Sequence, residues 1–368
     1  RIDEDQIKSS SAWEDITKAN TECKHLYVEL AKTINKFMNI IENHELEDED
    51  GIIFDFKKYI DRLKEYYKNF EFIVNNDSED YVYWFSVTPN KNNIKLFATP
   101  FDVSEDLKEN LLSKLNKMVF TSATLAVEGK FDYFMKSMGF DKNDKQLSKH
   151  LISSPFDYMN QMRVFIPSDT IDPNSIDFIA ETEVFIDKLI RKTKGHCFLL
   201  FTSYSMLNYL YNKLEKYYNK KDYTLLKQGD YSRNEMIEIF RNAKNPILFG
   251  TDSFWEGVDV QGEQLKSVII VKLPFKVPDD PVTEAIIEHI RENKGNPFNE
   301  FQVPQAVIKF KQGIGRLIRS KSDTGIITIL DNRVITKYYG RKFLNSLPKT
   351  NIIVDSKENI IEIIWASS

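Results

Sequence analysis

Two stretches of this sequence hold residue types that could handle a phosphate. The first, Gly250-Thr-Asp-Ser-Phe-Trp-Glu-Gly-Val-Asp259, crowds glycines, acids and hydroxyls behind a short apolar run, Pro246 to Phe249, that reads as a buried strand. In an open α/β sheet the crevice beyond the strand ends is where ligands sit. The second is Gln312-Gly-Ile-Gly-Arg-Leu-Ile-Arg-Ser320. It puts Arg316 and Arg319 three apart, on one face of an expected helix, beside Gly313 and Gly315, which allow close backbone approach. Planar guanidiniums make bidentate, charge-assisted contacts to phosphate oxygens that lysine cannot reproduce. With Gln312 they are the parts of a nucleotide γ-phosphate sensor; two solvent-facing arginines on an amphipathic helix are the alternative. In the first stretch, Glu256 and Asp259 could orient an arginine, bind a nucleotide sugar or fix a water, or could simply cap the next turn. Trp255 could stack on a base or pack beneath the loop.

Small hydroxyls mark two further strand ends, Thr121-Ser122-Ala-Thr124 and Thr202-Ser203-Tyr204-Ser205. Such groups suit nucleic-acid phosphates, alongside helix N-terminal amides. They are equally natural helix N-caps.

Other chemistry is excluded or left without parts. No glycine heads a G-x-x-x-x-G-K-[ST] loop and no Asp-Glu-Ala-His type of box ends a strand, so this chain on its own should not turn over ATP. The 5 histidines are scattered, and no metal site is expected. Two distant cysteines, Cys23 and Cys197, rule out a cysteine-rich zinc site or a four-cysteine iron–sulfur cluster within the chain and suit a reducing, cytoplasmic setting. The net charge of −5 and pI of about 5.7 advertise no bulk basic field, so any nucleic-acid groove must be local. No apolar run is long enough to span a membrane. The opening on Arg1, with no secretory pattern, leads to the expectation of a piece of a longer protein.

The elements that must position these residues follow from periodicity. Apolar residues at spacings of three and four (Cys23, Leu26, Leu30, Ile34, Phe37, Ile41, then Ile53, Phe56, Ile60, Leu63, Tyr67, Phe70) predict two long helices joined by the polar, acidic run Glu42 to Asp50, a helical hairpin. Aromatic and β-branched runs at 81–87 and 94–99 predict a β-hairpin. A helix over 104–115 and a short buried strand at 117–121 follow. From 163 onward strands and helices alternate: strands at 163–166, 196–202, 223–226, 246–250, 266–272 and 325–331, helices at 176–193, 203–218, 231–244, 280–293, 303–319 and 335–345. That alternation predicts a parallel sheet covered on both faces, an α/β fold.

Four of these stretches, in order, resemble helicase motifs of superfamily 2. Thr121-Ser-Ala-Thr-Leu125 resembles motif III, Phe198-Leu-Leu-Phe-Thr-Ser203 motif IV, Gly250 to Asp259 motif V, and Gln312-x-x-Gly315-Arg316-x-x-Arg319 motif VI, followed by Asp323-x-Gly325 and Asp331-x-Arg333. The Trp-Glu-Gly-Val-Asp form, Leu273-Pro-Phe275 and Ser154-Pro-Phe-Asp157 point to the XPD/DinG branch, bacterial DinG-like members in particular. The resemblance implies the C-terminal half, from after motif II, of an ATP-dependent, DNA-stimulated motor with two RecA-like domains, moving 5′ to 3′ as is typical of the family. It implies a helical arch at 1–76, the last piece of the first RecA-like domain at 77–155 and the second RecA-like domain at 156–368. ATP and Mg2+ would be held mainly by the upstream half, which would also carry any iron–sulfur cysteines. Gln312, Arg316 and Arg319 would approach the γ-phosphate. Glu256, Gly257, Asp259 and Gly315 would line the nucleotide side, with Glu256 and Asp259 coupling it to DNA. Thr121, Ser122, Thr202, Ser203, Tyr204 and Trp255 would face single-stranded or forked DNA. The partners implied are that DNA and the upstream RecA-like domain of the same protein, with no membrane. The alternative is the DNA-binding region of a DinG-type exonuclease that does not unwind.

Overall fold

The computed structural model describes residues 10–43, 52–76, 78–88, 93–141, 146–218, 222–256, 260 and 264–366. Most of the acidic run Glu42 to Asp50, from residue 44 on, and residues 89–92 of the hairpin loop lie outside them. The chain divides into two compact units, Arg1–Val103 with Pro278–His289, and Ser104–Val277 with Ile290–Ser368.

The first unit holds the expected helical hairpin and β-hairpin. Helices α1 (Ser11–Asn43) and α2 (Ile52–Asn75) pair antiparallel. Tyr27 stacks on Tyr67 at 4.1 Å, Phe37 meets Phe56 edge-on, and Lys24 pairs with Glu71 at 2.5 Å. Strands β1 (Tyr81–Val87) and β2 (Ile94–Pro100) form the hairpin, in register from Tyr81 opposite Pro100 to Val87 opposite Ile94.

In the second unit α3 (Ser104–Asn110), α4 (Asp132–Ser137) and α5 (Tyr158–Gln161) precede the sheet. Then come β3 (Met162–Pro167), α6 (Phe178–Thr193), β4 (Cys197–Leu200), α7 (Tyr204–Tyr218), β5 (Thr224–Lys227), α8 (Arg233–Asn242), β6 (Pro246–Gly250), α9 (Asp252–Trp255) and β7 (Ser267–Ile270). After α10 (Pro281–Glu292), most of which belongs to the first unit, follow α11 (Val303–Ile314), β8 (Gly325–Ile329), α12 (Arg333–Thr336), α13 (Gly340–Asn345), β9 (Asn351–Asp355) and α14 (Lys357–Ala366).

The strands pair in the order β5-β6-β4-β7-β8-β3-β9, every pair parallel. Alternate residues of each strand feed two cores. On β4, Phe198 and Leu200 join α8 and α11 on one face, while Cys197 and Leu199, with Phe201 just past the strand, join α6, α7 and α14 on the other. Every connection toward β5 runs over the second face and every return over the first, as the handedness of parallel crossovers requires. Neighbouring strands β4 and β7 are followed by connections that leave in opposite directions. The crevice at their carboxyl ends is therefore the switch point of the sheet, where open α/β folds bind ligands.

The structure departs from expectation in several places. Residues 117–121 form no strand, and Val119 is 87% exposed; a strand needs a neighbour for its backbone groups, and among the described residues none pairs with this segment. The helix expected to reach 319 ends at Ile314. The helix expected at 335–345 is broken into α12 and α13. Finally, β9 and α14 were not anticipated.

Candidate nucleotide and nucleic-acid site

The first stretch is shaped by close packing. Strand β6 ends at Gly250, and the single turn of α9 folds straight back, so that a Cβ on Gly250 would lie 2.6 Å from Phe254 Cβ. Trp255, the last residue of α9, is fully buried, and its indole N–H donates to the Phe201 carbonyl at 3.0 Å. A Cβ on Gly313 would lie 2.6 Å from the indole Cε3. One side chain thus ties the ends of β4 and β6 to helix α11. This corrects the base-stacking role for Trp255, because its ring faces are spent inside the core.

The second stretch approaches the first through Arg316. Helix α11 ends at Ile314 with Gly315 as its cap, and Arg316 lies in the following turn, its N–H reaching the Gly313 carbonyl at 3.3 Å. The two arginines therefore do not share a helical face. Arg316 is 7% exposed, and its Nε and Nη2 both donate to the Trp255 carbonyl, at 3.1 and 2.8 Å. The next carbonyl, that of Glu256, accepts from Arg233 Nη2 at the start of α8. Glu256 itself is exposed. Gly257 and Asp259 lie outside the described residues.

Gln312, on the last turn of α11, has a buried Oε1 with no hydrogen-bond partner among the described residues. An unsatisfied buried acceptor costs about 1–3 kcal/mol, so it needs an explanation, and a bound donor is one. Arg319 is half-buried in the segment beyond the turn. Asp323, 4% exposed, gathers that segment by accepting from the Arg319 and Ser320 amides, both at 2.8 Å, and from Ser320 Oγ at 2.6 Å. Gln161 donates to the Ser320 and Asp323 carbonyls at 2.9 and 2.8 Å.

The hydroxyl groups take separate positions. Thr121 and Ser122 are exposed, and Ser122 Oγ accepts from the Thr124 amide at 3.2 Å. Lys311 holds this loop by donating to the Ala126 and Ala123 carbonyls at 3.0 and 3.3 Å. Thr202 and Ser203 lie half-buried at the start of α7, where Ser203 Oγ accepts from the Met206 amide at 3.4 Å. Tyr204 is 54% exposed, and its hydroxyl accepts from Gln228 Nε2 at 2.6 Å. Gln228 Oε1 in turn accepts from the Thr251 amide and hydroxyl at 2.6 and 3.0 Å. Gln228 thereby connects the end of β6 to the exposed tyrosine after β4.

Beside the switch point, Asp331 is fully buried and chelates Arg333 (Oδ1 to Nε 2.8 Å, Oδ2 to Nη2 2.5 Å), while Oδ2 also accepts from the Leu273 amide at 2.8 Å. Arg333 lies 5.5 Å over the Phe275 ring. Burial, followed by repulsion from Arg333, pulls the Lys272 pKa below its ordinary value.

Sequence reasoning gave Gln228, Arg233 and Lys311 no role and left Asp323, Asp331 and Arg333 as unexplained parts of a pattern. Only the Asp331-x-Arg333 spacing carried a local signal. The other contacts join residues far apart in the chain.

Residues 186–350 match the helicase C-terminal domain family. The chain is 38% identical over 272 residues to the ATP-dependent DNA helicase YoaA of Haemophilus influenzae, an alignment that covers 74% of this chain and 41% of that protein. It is 32% identical over 359 residues to the 3'-5' exonuclease DinG of Bacillus subtilis, covering 95% of this chain and 38% of that one. An XPD helicase structure superposes with a TM-score of 0.53 at 17% identity, over 86% of this chain and 55% of that one, a likeness of fold. Residues 186–350 thus carry a helicase C-terminal domain, and the chain around them is similar to the YoaA and DinG proteins. The chain spans about two-fifths of the length of these curated relatives. Among the described residues, no group of three or more histidines, cysteines and carboxylates could hold a metal ion. No described helix is long and apolar enough to cross a membrane.

Proposed function

We propose that this chain is the C-terminal motor part of an ATP-dependent machine that couples hydrolysis to movement on single-stranded DNA. The observation that carries the reading is the contact of Arg316 with the Trp255 carbonyl, four residues beyond Gln312 and its unsatisfied oxygen. A buried guanidinium and an unsatisfied amide oxygen stand one turn apart at the end of α11. Arg316 and Arg319 supply positive charge to a γ-phosphate presented by an upstream lobe, and Gln312 orients the attacking water or the phosphate. Glu256, Gly257, Asp259 and Gly315 act on the nucleotide side. The hydroxyls of Thr121, Ser122, Thr202, Ser203 and Tyr204 face the DNA backbone, and Gln228 links Tyr204 to Thr251 at the end of β6. Mg2+ and most of the nucleotide are held by the upstream lobe. On this reading residues 1–76 form the arch, 77–155 end the first lobe and 156–368 make the second.

Phosphate release by the full-length protein, measured with and without single-stranded DNA, tests the proposal. Stimulated hydrolysis is expected, and its absence in a protein with an intact upstream phosphate loop would sink it. A second reading draws on the Bacillus subtilis exonuclease, which aligns with nearly the whole chain. Here the same site positions DNA for an upstream nuclease without strand separation. Degradation of a forked substrate with no displaced strand is the outcome that selects it.

A further inference from the structure

We propose that Lys311 is a positioning residue that couples the nucleotide side of the site to the hydroxyl loop Thr121–Thr124. Lys311 and Gln312 are consecutive residues on the last turn of α11. Gln312 carries the unsatisfied oxygen, whereas Lys311 Nζ spans the loop, holding the Ala123 and Ala126 carbonyls on either side of Thr124. Within that loop Ser122 Oγ lies 3.2 Å from both the Thr124 hydroxyl and the Thr124 amide, so the two hydroxyls move as one turn. A ligand that shifts the last turn of α11 at Gln312 therefore also shifts the ammonium and the two carbonyls it holds.

The choice of residue argues for coupling over stability. Burial lowers the Lys311 pKa, and among the described residues no neighbouring charge offsets it. A half-buried ammonium held by neutral carbonyls pays desolvation without a carboxylate to repay it, and an apolar side chain of similar length is often at least as stabilising. The rest of the segment is anchored independently, by Lys136 to Glu300 at 3.4 Å and by Asn345 to Glu128 at 3.3 Å. Loss of the Lys311 contacts should free the loop and leave the fold.

This inference rests on the motor reading above, and the experiment separates the two. ATP hydrolysis by the full-length protein is measured with and without oligothymidylate for wild type, Lys311→Met and Lys311→Arg. Lys311→Met should keep basal hydrolysis within about twofold and lose about tenfold in DNA stimulation, a coupling free energy of ordinary size. Lys311→Arg, which can still donate to both carbonyls, should recover most of the stimulation. Full stimulation in Lys311→Met overturns the inference and leaves the motor reading standing, as does equal loss of basal and stimulated rates. A wild-type protein without DNA-stimulated hydrolysis overturns both. Should Lys311→Met be unstable, hydrogen exchange of the 119–130 peptide in wild type decides. Protection there should change when a non-hydrolysable ATP analogue is added, and no change overturns the coupling.

Discussion

Arg316 spends its Nε and Nη2 on one backbone oxygen, so its position is set by the fold before any phosphate arrives. For the full-length protein, Arg316→Ala should lower the ATPase rate by about 10³-fold or more, the usual worth of an arginine at a transferring phosphoryl group. Arg316→Lys should not restore it, because a point charge cannot reproduce the fork; steady-state hydrolysis with circular dichroism as a folding control checks both. Asp331 is the opposite case, a carboxylate that serves structure. Asp331→Asn leaves Arg333 without its counter-charge, and removing one partner of a buried pair costs about 3–5 kcal/mol. The urea midpoint should fall accordingly, with the slope unchanged. At this scale the sequence showed residue types but not their partners. Guanidiniums and acids can be recognised by name, whereas the acceptor of Arg316 is a carbonyl, which every residue carries.

Helix α11 stops where its glycines allow it to, and the two glycines do different work. Gly313 is a contact surface for Trp255, so Gly313→Ala must displace the indole, an overpacking that costs about 1–3 kcal/mol. At Gly315 the added methyl would meet the Lys311 carbonyl at 3.3 Å and the Gln312 carbonyl at 3.6 Å, with the backbone already in the right-handed helical region. Gly315→Ala should therefore cost less than Gly313→Ala, and thermal melts of the two variants check the order. Periodicity located the central strands because they are apolar throughout, as strands buried on both faces must be. It missed β9, an edge strand paired only with β3 and partly exposed along its length. It missed α14 because Ile360, Ile361, Ile363 and Ile364 are β-branched and read poorly as helix, although Ile360 and Ile364 fall one turn apart and are buried. The 117–121 segment failed the other way: its residues suit a strand, but pairing is a property of neighbours.

For the molecule as a whole, the chain alone should bind no ATP tightly and hydrolyse none, since no phosphate loop occurs in it. A coupled-enzyme assay on residues 1–368 checks this. The two thiols should also separate cleanly. Cys23 is exposed, whereas Cys197 lies in the centre of the sheet, where burial pushes its pKa far above the ordinary thiol value. At pH 8 the thiolate fraction is then negligible at Cys197, so iodoacetamide should label Cys23 alone in native protein and both residues in urea, as read by peptide mass.

The grip on the carbonyls of residues 255 and 256 has a mechanical consequence. One arginine reaches them from the start of α8 and the other from just past α11, so adjoining peptide units are strapped to two different arms of the sheet. Neither arm can swing without dragging that short length of backbone, and with it the indole plugged between β4 and β6. The strap works as a yoke, turning a small displacement on either side into a common one at the mouth of the crevice.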